Sequence, residues 1–234
     1  KMMFKRIFAL FFLVGAISFL FDGNNFPIGF AFWVVAGIIQ TLGYEKDNAI
    51  YMPITKIDDN SFHDLTKLTE LIMKRRSCRK FTEEAVSAND IKELKRVALC
   101  SPTSKNCRSW EFVFVQKKDV IAALSRSKDN GASFMEFAPL AIVVLGNPNK
   151  TDVWIEDASI AATYIQLKAE ELGLGSCWVQ MRERGIPGVS KASDTIKALI
   201  NAPEELEVEC VIAVGHKATE RSPYTEDKLP WEQA

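Results

Sequence analysis

The sequence predicts an α+β fold with a central sheet, preceded by a hydrophobic helical hairpin. Three observations carry this. Segments of helical and strand periodicity alternate from His63 onward. The apolar run LAIVVLG at 140–146 and VECVIAVG at 208–215, apolar except for Glu209, read as buried strands. Residues 1–44 hold only four charged side chains, Lys1, Lys5, Arg6 and Asp22. The composition is globular, 47% hydrophobic and 25% charged over 234 residues, which excludes disordered, collagenous and disulfide-scaffold classes. A net charge of −1 without a basic stripe excludes a nucleic-acid partner. The five cysteines are odd in number and lack Cys-x-x-Cys spacing, so they fit a reducing compartment and predict no metal site.

The N-terminal fifth, 1–44, reads as a membrane-anchor segment. Residues 7–21 and 26–44 are uncharged runs separated by the turn signal Asp22-Gly23-Asn24-Asn25. A spanning helix needs about 20 apolar residues. A hairpin is the reading adopted, because neither run has a polar face. A cleaved signal peptide with a separate anchor, or two buried helices, are the alternatives. Lys1, Lys5 and Arg6 precede the first run and the turn has no basic residue, so a hairpin returns the chain to the cytoplasmic side. Residues 45–62, with Pro53 and Asp58-Asp59-Asn60-Ser61, read as a linker to the domain at 63–234.

Within that domain, Leu65, Leu68, Leu71 and Ile72 mark a helix face. Ser87 and Asp90 open a second helix carrying Ile91, Leu94, Val97 and Ala98. A strand is expected at 111–116, a short helix at 120–124, a buried strand at 140–146 and a long helix at 154–172. A strand at 176–180, a helix at 194–200 and a strand at 208–215 complete the order.

Three polar segments stand out. Arg75-Arg76-Ser77-Cys78-Arg79 ends the first helix of the domain; its guanidiniums and hydroxyl suit a phosphate, although basic residues also answer a helix dipole. Pro102-Thr103-Ser104-Lys105-Asn106 leads through Arg108-Ser109-Trp110 into a strand and offers hydroxyls and an amide to a heterocycle. Leu172-Gly173-Leu174-Gly175-Ser176-Cys177-Trp178 lacks the third glycine and the preceding strand of a dinucleotide fingerprint.

In this order and spacing, RRSCR, PTSKNCRSW, ELGLGSCW and VIAVGHK resemble the nitroreductase family of flavoproteins over about 63–234. The resemblance implies a three-layer fold with a mostly antiparallel sheet and a homodimer with FMN at the subunit interface. It implies that Arg75, Arg76 and Ser77 hold the FMN phosphate and ribityl chain, and that Arg79 reaches the pyrimidine end and tunes the flavin. Thr103 and Asn106 match flavin contacts, and Trp178, Val179 and Gln180 match the lining near N5. Lys228, before Leu229-Pro230, matches a phosphate contact, with Lys217 and Arg221 as rivals. The implied activity is ping-pong hydride transfer from NADH or NADPH to a nitroaromatic, quinone, enone or flavin. No side chain serves as nucleophile. The alternatives are a non-catalytic flavin-binding membrane protein and a reductive dehalogenase similar to iodotyrosine deiodinase. The brief segment at 127–137 leaves little room for that enzyme's long lid.

Overall fold

The computed structural model describes residues 67–233. The uncharged runs at 7–21 and 26–44 and the linker at 45–62 lie outside them. The chain forms two compact units; the described residues through Leu229 belong to one, and Pro230 onward to the other. In that second unit Trp231–Gln233 form a single 3-10 turn, closed by the Gln233 N–H donating to the Pro230 carbonyl at 2.8 Å.

In the larger unit the helices are α1 (Lys67–Lys74), α2 (Ala88–Leu99), α3 (Lys118–Ser125), α4 (Trp154–Glu171) and α5 (Ala192–Ile200). The strands are β1 (Trp110–Val115), β2 (Leu140–Gly146), β3 (Leu174–Gln180), β4 (Gly185–Ile186), β5 (Ser190–Lys191) and β6 (Glu207–His216). The main sheet runs β1-β2-β6-β3, and every neighbouring pair is antiparallel.

Strand periodicity divides β2 between two cores. Leu140, Ile142 and Val144 face α2 and α4, together with Ile212 and Val214 of β6. Ala141, Val143 and Leu145 face α3, α5 and the 3-10 turn Ser133–Phe137. Both faces are covered, so β2 and β6 need apolar residues at successive positions, and the layers are helix, sheet and helix. The small residues Ala158, Ala162 and Ala169 let α4 approach the sheet closely.

Local signals fix the element ends. The Ser87 hydroxyl accepts from the Asp90 N–H at 3.1 Å and donates to the Asp90 carboxylate at 2.7 Å, which caps α2. Gly173, at φ +77°, follows the end of α4, and its N–H bonds the Glu170 carbonyl at 3.0 Å. That left-handed turn brings β3 in two residues earlier than expected, with Leu174 and Gly175 pairing His216 and Gly215.

Two findings differ from the sequence reading. The helix at α1 stops at Lys74, so residues 75–79 lie beyond it, and Ser77 forms a bridge to Ser176. The hairpin β4–β5 has two-residue arms, too short to show a period, and only the turn around Pro187-Gly188 signals it.

Candidate functional site

The segment after α1 lies along the start of β3. The Cys78 N–H donates to the Ser176 carbonyl at 2.8 Å. Gly175 is required there, because a Cβ would stand 2.7 Å from the Cys78 side chain and 2.9 Å from Lys217. A cavity opens beside this contact, lined by Arg76, Ser77, Arg79, Lys217, Arg221 and Glu170 among others. Six basic and two acidic residues line it, an excess suited to a phosphate.

The cations in this cavity are held differently. Arg76 donates to the Ser222 carbonyl and stacks 4.4 Å over the Tyr224 ring. Arg79 lies 5.7 Å over Phe134. Lys217 is paired with Glu170 at 2.8 Å, and both side chains are nearly buried. Glu170 also approaches Lys74 at 3.8 Å and Glu220 approaches Lys217 at 3.6 Å, so Arg76, Arg79, Lys80 and Arg221 carry most of the cavity's field. Arg75 does not line this cavity. Its charge acts instead on Cys177: burial pushes that thiol up, while Arg79, a Ser77 hydrogen bond and Arg75 pull it down. Lys228 ends an exposed 3-10 turn and does not line the cavity; its rivals Lys217 and Arg221 do.

The loop at 101–109 is held elsewhere. Lys105, Asn106 and Arg108 adopt φ of 50°, 55° and 46°. The Arg108 N–H donates to the Thr103 hydroxyl at 3.1 Å. Buried Asp157 of α4 accepts from the Ser104 N–H at 2.9 Å, the Ser109 hydroxyl at 2.9 Å and the Cys107 thiol at 3.6 Å. Neither Thr103 nor Asn106 lines the arginine cavity of the same chain.

The end of β3 carries a polar network. Trp178 Nε1–H donates to Gln180 Oε1 at 2.8 Å, and Gln180 Nε2 reaches the Arg182 carbonyl at 3.2 Å and Glu209 at 3.4 Å. Lys128 donates to the Gln180 carbonyl at 2.9 Å. Arg182 Nε approaches Glu209 Oε2 at 3.0 Å without hydrogen-bond alignment, so that contact is an ion pair only. Val179 is buried in the core, so only its backbone is available to a ligand. Burial, then the Arg184 charge, push the Lys128 ammonium down, while Asp129 acts the other way.

Burial also pushes the Glu209 carboxyl above its ordinary 4.5, against the pull of Gln180 and Arg182. The native state therefore keeps this proton to higher pH than the unfolded chain does. Stability falls as pH rises through that window. Glu209→Gln mimics the protonated form. Its melting temperature is expected to exceed the wild type's at about pH 8 and to converge with it below about pH 4. A gap of equal size at both pH values overturns the assignment.

Asp157, Lys128, Arg182 and Glu209 were not sequence candidates. Glu209 had a signal: one carboxylate inside an otherwise apolar strand. Asp157 had none, because it stands beside Glu156 in a first turn where carboxylates commonly answer the helix dipole.

Fold and cavity together define a three-layer α+β chain with a cationic cradle at the start of an edge strand. The sequence model of the nitroreductase family matches residues 72–130 and 121–216, and the chain belongs to that family. An FMN-dependent nitroreductase from Clostridium difficile R20291 has a similar solved structure. It is 40% identical with a TM-score of 0.69, over 70% of this chain and 96% of the other. The FMN reductase (NADPH) of Bacillus subtilis is 26% identical over 64% of this chain and 65% of its own length. The iodotyrosine deiodinase of Thermotoga neapolitana is 22% identical over 69% of this chain and 95% of its own length. The family makes the chain an oxidoreductase.

Proposed function

We propose that the chain binds FMN and passes hydride from NADH or NADPH to an electron-poor acceptor: a nitroaromatic, quinone, enone or flavin. The observation that carries this is the convergence of Arg76, Ser77, Arg79 and Arg221 on one cavity, in a chain 40% identical to an FMN-dependent nitroreductase. Bound FMN supplies the two-electron hydride chemistry. Arg76, Ser77 and Arg221 hold its phosphate end. Arg221, which lines the cavity, takes the phosphate role in preference to Lys228, which does not. Trp178, the Val179 backbone and Gln180 line the ring.

Arg79 places positive charge where the reduced cofactor gains negative charge. Arg79→Ala is expected to lower the two-electron potential of the bound flavin by about 30 mV, which corresponds to about 1.4 kcal/mol. An unchanged potential in an FMN-replete variant removes Arg79 from the mechanism.

The working unit is a homodimer. Leu68 and Ile72 on α1 are 60% and 49% exposed, and Ile160 and Tyr164 on α4 are 38% and 40% exposed, an apolar face suited to a second copy. Thr103 and Asn106, remote from the cavity of their own chain, then serve the partner's cofactor. The test is steady NAD(P)H oxidation by the full-length protein across an acceptor series that includes a halogenated tyrosine. Bound flavin without turnover on any acceptor supports the non-catalytic alternative and overturns the enzyme.

Membrane attachment through residues 7–44, with the catalytic domain in the cytoplasm, belongs to the same proposal. Among the described residues no helix is long and apolar enough to cross a membrane. A charge at mid-helix costs about 2.5–3.5 kcal/mol on the insertion scale, so Val35→Arg is expected to weaken membrane retention. Wild-type chain extracted from membranes by alkaline carbonate refutes the anchor, and digestion of the domain by external protease in spheroplasts refutes its orientation.

A further inference from the structure

We propose that Asp157 is a positioning residue that sets the loop at 103–108 in the shape the cofactor meets, an inference that rests on the FMN reading above. Asp157 is 3% exposed and sits in the first turn of α4. Its two carboxylate oxygens receive three donors, and all three come from this one loop: the Ser104 amide on Oδ1, and the Ser109 hydroxyl and Cys107 thiol on Oδ2. Between those anchor points stand Lys105, Asn106 and Arg108, each in the left-handed region that residues other than glycine rarely adopt. Strain of this kind persists where the surroundings over-determine it, and here the buried carboxylate does so.

The consequence is directional. Asn106 is exposed and Thr103 half-buried, its hydroxyl accepting the Arg108 N–H inside the loop, while the anchoring groups bond Asp157 of α4. Asp157 touches no ligand itself. It fixes the backbone from which Thr103 and Asn106 project. A carboxylate in the first turn of a helix also answers the helix dipole. A role confined to the dipole would change stability and leave both the loop and the cofactor unmoved.

The test uses full-length protein carrying Asp157→Asn, Asn106→Ala, both together, or Ser109→Ala. Hydrogen exchange is measured on the FMN-free chain, and FMN affinity by flavin fluorescence on reconstitution. Asp157→Asn is expected to speed exchange at 103–109 while β2 and β6 stay protected, and to weaken FMN binding about tenfold, the loss expected for a hydrogen bond to a charged group. In the double variant the combined loss should be smaller than the sum of the two, because Asp157 acts in part through Asn106. Ser109→Ala removes one of the three bonds and should shift both readouts in the same direction by less, which keeps the test alive if Asp157→Asn folds poorly. Unchanged exchange in the loop overturns the proposal whether or not FMN binds. So does wild-type affinity in Asp157→Asn, or full additivity in the double variant. A wild-type chain that takes up no FMN overturns the functional reading instead, and the exchange result then still decides whether Asp157 holds the loop.

Discussion

A chain carrying both Arg76→Ala and Ser77→Ala is expected to purify colourless, while the wild type is yellow with FMN bound one per chain. Hydrogen bonds to charged groups contribute about 1.5–3 kcal/mol each. Losing two therefore weakens binding by about a hundredfold or more, enough to strip cofactor during purification. Arg76 also donates to the Ser222 carbonyl and stacks on Tyr224, so its removal loosens residues 222–224 as well. Ser77→Ala alone separates the two effects, because it leaves the Arg76 contacts intact. Flavin absorbance against protein concentration reads the outcome. A yellow double variant, or a wild type that cannot be reconstituted, refutes the cavity as the phosphate site.

The second large effect is expected at the apolar face of α1 and α4. Tyr164→Asp should convert a dimer to a monomer and release FMN with it. The side chain is 40% exposed in the single chain, so the substitution does not disturb that chain's own core. Across a dimer interface it would bury an unpaired carboxylate, at a cost of several kcal/mol. Sedimentation velocity and flavin content, measured on the same samples, decide the matter. A monomer that keeps its flavin tightly would show that each chain holds the cofactor alone, and the role given to Thr103 and Asn106 would fall.

The sequence made much of this legible because local rules governed it. The run at 140–146 is apolar at every position, and β2 is covered on both faces. Ser87 and Asp90 announced the start of α2, and Gly173 the end of α4. The site was legible as a set of motifs but not as a geometry. Residues 75–79 read as the basic end of a helix, yet they lie beyond it, and Arg75 and Arg76 face different surroundings. The network around Gln180 joins Lys128 and Glu209, which lie 52 and 29 positions away, and no periodicity links them. Nor could spacing rank Arg221 above Lys228, since chain distance says nothing of which cation turns toward the cavity.

The outer rim of β3 bears on the solubility of the protein. A free strand edge is a template for unwanted self-association. Here the Ser176 carbonyl is taken by the Cys78 N–H, and the Gln180 carbonyl by Lys128. Between them, the Trp178 carbonyl receives the Cys177 thiol at 3.6 Å. Alternate carbonyls along the rim are thus blocked, and one of the blocking groups, Cys78, also lines the ligand cradle. Mutations made there to alter chemistry will tend to uncover a sticky edge, so loss of soluble yield and loss of function should travel together along this strand.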